Sequence, residues 1–134
     1  MIYRINLQTT AKVEFQDITQ KIGEILNHSS VENGICYIFV PHTTAGITIN
    51  EHADPNVVED IADHLDIMAP LHMKYGHSEG NAPAHIKATI IGNSQVLLVE
   101  NGKLVLGTWQ GIFFCEFDGP RNRFVVIKAI PDMI

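Results

Sequence analysis

The sequence predicts an α+β fold in a single domain, residues 1–134, with largely antiparallel, sandwich-like sheets carrying three helices. Three observations predict it. Strand-like runs open and close the chain, and segments with apolar residues at helical spacing lie between them. No repeat, low-complexity tract or linker divides the 134 residues. A chain of that length buries roughly two thirds of its unfolded surface around one core.

The elements follow in order. "IYRINLQ" and "AKVEFQ" read as strands joined at Thr9-Thr10. From Asp17, a candidate N-cap, Ile18, Ile22, Ile25 and Leu26 recur at helical spacing, with Gly34 past the end. "ICYIFV" is a continuous apolar, β-branched and aromatic run, which predicts a central strand covered on both faces. After Pro41 the pattern alternates, with Ile47 and Ile49 on one face and Thr44, Thr48 and Asn50 on the other. His42 shares the polar parity, and Gly46 permits a bulge.

Asp54-Pro55 supplies a cap and a first-turn proline for a second helix, in which Val58, Ile61, Leu65 and Met68 recur before Pro70 stops it. Leu71 to Gly80 is aperiodic and reads as a loop leading into a short helix from Pro83 to Ile91, closed by Gly92. The last third is β: "SQVLLVE", an Asn101-Gly102 hairpin turn, "KLVLG", "GIFFCEF", a turn at "DGPRN", and "RFVVIKAI".

Composition excludes some functions. Fifteen Asp and Glu against nine Lys and Arg give a net charge of -6, the wrong sign for a general nucleic-acid binder. No apolar run approaches the ~18 residues that span a bilayer, and "MIYRINLQTTAKVEF" has no signal-type core. The expectation is a soluble, cytoplasmic protein with no membrane partner. Cys36 and Cys115 lie in apolar runs and read as buried strand residues in a reducing compartment. Glu51, Asp54, Glu59, Asp60, Asp63 and Asp66 read mainly as a solvated helix face.

Polar residues concentrate in "HTTAGITINEHADP", "HSEGNAPAHIK" and "GTWQG…EFDGPRNR", each where an element begins or ends. His42, His77 and His85 are candidate metal ligands from three segments, with a packed or solvated histidine as the alternative reading of each. Gly80 and Asn81 precede a helix whose first amides suit a phosphate, and Lys87, Arg121 and Arg123 are candidates to complete that site. "DGP" holds Arg121 in a tight turn, where a guanidinium binds phosphate with two parallel hydrogen bonds. Trp109, the single tryptophan, is a core residue or a wall for a heteroaromatic ring. Glu51, Glu79, Glu116 and Asp118 are candidates for proton transfer or for holding a divalent cation. Ser78 lacks a nucleophile-elbow context, which argues against Ser-His-Asp catalysis.

Taken together, "PHTTAGITINEHADP", "HSEGNAPAHIKAT" and "GTWQGIFFCEFDGPRNR" resemble the signature blocks of the YjbQ family, described as secondary thiamine-phosphate synthases, over nearly the whole chain. The resemblance implies an α+β sandwich-like homotrimer with its pocket near the subunit boundary. The first block matches the family pattern at His42, Thr43, Thr44, Asn50, Glu51, Asp54 and Pro55. The second matches at His77, Glu79, Gly80, Asn81, His85 and Lys87, and the third at Thr108, Trp109, Gln110, Asp118, Gly119, Arg121 and Arg123.

The implied reaction condenses hydroxymethylpyrimidine diphosphate with thiazole phosphate and releases diphosphate. In that reading His42, Glu51, Glu79 and Arg121 are catalytic. Thr43, Thr44, Gly80, Asn81, Lys87, Trp109, Gln110, Asp118 and Arg123 bind a small phosphorylated heteroaromatic substrate, and a divalent metal, Mg or Zn, sits at His42, His77 and His85. The alternatives are a non-catalytic phosphometabolite-binding trimer and a metal-dependent hydrolase built on the same histidines.

Overall fold

The computed structural model describes residues 1–134. In chain order it holds β1 (Tyr3–Gln8), β2 (Glu14–Asp17), α1 (Thr19–Ser29), β3 (Gly34–Phe39), β4 (Ala45–Glu51), α2 (Pro55–Met68), α3 (Ala82–Ile91), β5 (Ser94–Glu100), β6 (Lys103–Leu104), β7 (Gln110–Glu116) and β8 (Asn122–Pro131). A five-stranded sheet runs β1-β8-β3-β5-β6 and a three-stranded sheet runs β2-β7-β4. Every strand pairing is antiparallel. The fold is α+β, with three helices.

Two cores hold the layers together. In the larger, Ile5, Cys36, Ile38, Leu97, Val125 and Ile127 of the five-stranded sheet face Ile47, Ile112 and Phe114 of the smaller one, with Ile22 and Leu26 of α1 and Ile18 just before it closing the side. In the smaller, Phe113 and Cys115 on the opposite face of the three-stranded sheet, with Phe117 just past the end of β7, meet Leu65 of α2 and Ala84 and Ala88 of α3. Strand β7 therefore has side chains buried on both faces, as its run "GIFFCEF" requires. Emptying such a position costs about 3–5 kcal/mol for a Phe→Ala change, and Phe114 is fully buried.

Helix ends follow local chemistry. The Asp17 carboxylate accepts from the Thr19 amide at 3.0 Å, and the chain leaves α1 through Ser30 in the left-handed region, φ 61, well before Gly34. Asp54 caps α2 by accepting from the Asn56 amide at 2.9 Å. Asn101 and Gly102, at φ 52 and 75, form the tight turn between β5 and β6.

Two sequence expectations are corrected. Strand β3 is central, but only Cys36 and Ile38 point into the core, and Tyr37 on its other face is 39% exposed. Gly46 marks no bulge, since β4 pairs with β7 continuously from Ala45↔Glu116 to Glu51↔Gln110. Instead, a Cβ at Gly46 would lie 2.6 Å from the Gly92 carbonyl, so the glycine lets the end of α3 press onto the strand. The free cysteines Cys36 and Cys115 are buried as expected, and burial pushes the Cys36 thiol up to about 11.

Candidate functional site

Two buried side chains of opposite charge anchor the site. Glu116 lies at the end of β7 with its side chain fully buried, so its charge needs a partner. Arg123, one residue into β8, donates Nε to Glu116 Oε1 at 2.8 Å and Nη2 to Oε2 at 2.5 Å. Thr9 Oγ1 donates to the same carboxylate at 2.8 Å, and the Asp118 amide donates to it at 3.0 Å. Burial pushes the Glu116 carboxyl up, but the bonds from Arg123, the Asp118 amide and Thr9 outweigh it and hold the group below its ordinary value. Arg123 Nη2 also donates to Thr44 Oγ1 at 2.8 Å, which ties the start of β4 to the network.

The turn between β7 and β8 stands on this floor. Arg121 donates its amide to Thr9 Oγ1 at 2.8 Å, and its guanidinium donates to the Asp118 carbonyl at 2.7 Å and to Asp118 Oδ2 at 2.9 Å. Asn81, at the start of α3, donates Nδ2 to the same Oδ2 at 3.0 Å. Burial raises the Asp118 carboxyl, while the bonds from Asn81 and Arg121 bring it below its usual range. Two of five guanidinium N–H groups of Arg121 are thus committed, and its side chain is 53% exposed, so the rest are available to a ligand.

His42 completes the wall. Pro41 has no amide hydrogen, and the β3–β8 ladder ends at Phe39↔Val126 just before it. The imidazole takes over that edge, with Nε2 at 3.1 Å from both the amide nitrogen and the carbonyl oxygen of Phe124. The ring is therefore anchored whether Nε2 accepts or donates, and Nδ1 is the nitrogen left for a ligand. Burial lowers the His42 pKa and the Arg123 charge lowers it further, which favours the neutral ring.

These groups line one open pocket of about 380 Å³, formed by Pro41, His42, Thr43, Thr44, Glu79, Asn81, His85, Asp118, Arg121 and Arg123. The three polar sequence blocks meet there. A neighbouring hollow of about 520 Å³ shares His42, Thr43 and His85 but has no Asp, Glu, Lys or Arg side chain. Gly80, at φ 81, supplies the left-handed turn that brings Asn81 into position. His77 stands behind His85, ring centroids 5.1 Å apart and edge to face.

Other expected members lie elsewhere. Glu51 pairs with Gln110 at the far end of the β4–β7 ladder from Ala45↔Glu116, about 20 Å away at the usual rise per strand residue. Trp109 precedes Gln110 and is 62% exposed, so within this chain it is neither a core residue nor a wall of the pocket. Gln110 folds back on its own turn, accepting from the Gly107 amide at 2.8 Å. Lys87 faces the opposite side of α3, where it is buried and paired with Asp66. No three His, Cys, Asp or Glu side chains are grouped as a metal site, so His42, His77 and His85 do not form a ligand trio as they stand. The first amides of α3 are also poorer donors than expected, because Pro83 has none and the Ala84 amide bonds to the Asn81 carbonyl at 3.0 Å.

Sequence reasoning missed Thr9, whose partners are 107 and 112 positions away. No local signal points to it. Glu116 had one: a lone carboxylate inside "IFFCEF" is a buried charge that must be paired.

The family model described as "UPF0047 protein YjbQ-like" matches residues 3–132. A UPF0047 protein of Methanocaldococcus jannaschii is 48% identical over 132 residues, covering 98% of this chain and 96% of that protein. YugU of Bacillus subtilis, also described as UPF0047, is 48% identical over 131 residues, with 97% and 99% covered. Among solved structures, an uncharacterized YjbQ/UPF0047 protein of Clostridium acetobutylicum superposes with a TM-score of 0.94 at 52% identity, covering 96% of this chain and 99% of that one. A protein of Sulfolobus solfataricus, described as of unknown function, gives 0.95 at 38% identity, with 98% and 97% covered. With the family pattern matched from the first strand to the last, the chain belongs to the YjbQ (UPF0047) family.

Proposed function

We propose that this protein is a phosphate-handling transferase of the thiamine-phosphate synthase type, acting on a small phosphorylated heteroaromatic substrate in the cytoplasm. The observation that carries the reading is the convergence of His42, Thr43, Glu79, Asn81, Asp118 and Arg121 on one polar pocket. In the reaction the thiazole nitrogen attacks the methylene carbon of the pyrimidine. A carbon–nitrogen bond forms, the carbon–oxygen bond breaks, and diphosphate leaves with the electron pair. Arg121 supplies fixed positive charge to the leaving oxygens. His42 offers Nδ1–H to a phosphoryl oxygen while Phe124 holds the ring, and Thr43 adds an exposed hydroxyl.

The charge balance bears on the metal. The two guanidiniums of the pocket face three carboxylates, Glu79, Asp118 and the buried Glu116, a balance that suits a metal–diphosphate pair better than a bare anion. Magnesium fits this donor set, since it is commonly held by one or two carboxylates plus substrate phosphates rather than by a dedicated cage. Glu79 and Asp118 would hold it, and bound there it would neutralise charge on the departing diphosphate. Zinc on three histidines, as in the hydrolase alternative, has less support.

A homotrimer is part of the same proposal. Supporting it, Tyr37, Val96, Leu98 and Ile130 form an uncovered apolar patch beside Lys128 on the outer face of the five-stranded sheet, and the run through β3 has the pattern of a strand covered on both sides. The test is turnover of the two precursors by protein purified from a host lacking its own synthase. Arg121→Ala is expected to reduce the rate by about a hundredfold, the usual loss for one charge-stabilising donor. Binding of thiamine phosphate without turnover by the unaltered protein would favour the non-catalytic binding reading instead.

A further inference from the structure

The pocket assigned to the phosphate has no apolar member but Pro41, so it offers little against which the organic part of a ligand can be buried. The hollow of about 520 Å³ beside it has the complementary lining. His42, Thr43 and His85 border both spaces and form a seam between them. Beyond the seam the lining is small, with Ala45, Ala88 and Gly92, and a Cβ built on Gly92 would meet no atom within 4 Å. Thr89 and Asn93 add polar groups, and no Asp, Glu, Lys or Arg is present. A charge placed there would find no counter-ion, whereas a neutral group with hydrogen-bonding atoms would be matched.

Two features mark the hollow as built. The Gly92 carbonyl accepts from the Ile47 amide at 3.0 Å and the Asn93 carbonyl from the Val40 amide at 2.7 Å, which pins the chain leaving α3 to the residues that flank His42 in sequence. A wall held in this way costs a ligand nothing to order. In addition, the exposed Thr89 donates Oγ1 to the His85 carbonyl at 2.9 Å, the back-bond of a helical threonine. Its one proton is thereby committed, and toward the hollow the hydroxyl only accepts. A group lying beside it must bring the N–H or O–H.

We propose that the hollow is the recognition lobe of the phosphate site. It takes the ring of a phosphate ester whose phosphate lies across the His42–His85 seam, and it selects a neutral ring carrying an N–H donor over an apolar ring of the same size. The proposal rests on the phosphate reading of the neighbouring pocket and adds Thr89 as the residue that determines specificity. An apolar ring desolvates the Thr89 hydroxyl without replacing the lost hydrogen bond, which is how a polar site rejects a hydrocarbon analogue.

The test titrates isotopically labelled protein with (4-aminopyrimidin-5-yl)methyl phosphate and with benzyl phosphate, which share ring size and linker, and follows the backbone amides. The aminopyrimidine ester is expected to shift Ala88, Thr89 and Asn93 together with Arg121, saturably, and to bind about tenfold more tightly than benzyl phosphate. Thr89→Val should remove that preference and leave the affinity for benzyl phosphate as it was. Thr89→Trp should fill the hollow and exclude both esters while inorganic phosphate still shifts Arg121. Shifts at Arg121 without shifts at Thr89 and Asn93, or equal affinity for the two esters, overturn the proposal and leave the phosphate reading intact. Absence of shifts at Arg121 with both esters and with inorganic phosphate sinks that reading, and the proposal with it.

Discussion

Arg123 meets Glu116 through two parallel hydrogen bonds, Nε to Oε1 at 2.8 Å and Nη2 to Oε2 at 2.5 Å, with both side chains buried. This pair is the floor of the polar pocket, and it makes the pocket's shape depend on a charge that cannot be exposed. Removing one partner leaves the other buried and uncompensated, which typically costs about 3–5 kcal/mol. Arg123→Met is therefore expected to lower the denaturation midpoint sharply with little change in the denaturant slope. A midpoint equal to that of the unaltered protein would show that the pair is not structural.

The same pair sets an acid limit. The Glu116 carboxyl is held below its ordinary value of 4.5, so the folded state binds its proton less readily than the unfolded chain. Its stabilisation is fully present above pH 4.5 and is lost as pH falls through the lower folded value. Asp118 and Asp17 are shifted in the same direction, as hydrogen bonds outweigh the effect of burial in each, and add to the loss. Unfolding free energy measured against pH should fall below about pH 4.5 more steeply than in Glu116→Gln.

Much of the fold was legible because its causes are local. Asp54-Pro55 caps α2, Asn101-Gly102 turns the β5–β6 hairpin, and Gly92 ends α3, each by chemistry confined to a few residues. The polar pocket was legible in part, since its residues sit in three polar blocks beside turns. What the blocks do not encode is how far each strand carries its ends apart. Glu51, Trp109 and Gln110 share blocks with His42 and Arg121, yet the β4–β7 ladder puts them at the opposite end. Lys87 follows His85 by two helical positions, and that turns it onto the other side of α3.

His42 should titrate below the value of 6.5 usual for a histidine, because burial and the Arg123 charge both disfavour the imidazolium. The lowered value means that its stabilisation is present above pH 6.5 and lost as pH falls through the folded pKa. An NMR titration of the ring protons, assigned with His42→Gln, checks this. A midpoint above 6.5 would contradict the neutral-donor role.

The uncovered sheet face gives a prediction about assembly. Leu98 is 62% exposed on β5 beside Val96, and placing a charge there should oppose burial of that face. Light scattering is expected to find a trimer for the unaltered protein and smaller species for Leu98→Glu, with the far-ultraviolet spectrum preserved. An unaltered protein that remains monomeric at micromolar concentration would remove the trimer from the account.

On the proposed reading the pocket between His42 and Arg121 receives a phosphorylated ligand. The most direct measurement is a titration of labelled protein with diphosphate, with and without magnesium, followed at the amides of Thr43, Asn81, Arg121 and Phe124. Saturable shifts are expected at these four residues, strengthened by magnesium and lost in Arg121→Ala. Shifts confined to other surface residues, or shifts at these four that persist undiminished in Arg121→Ala, would contradict it.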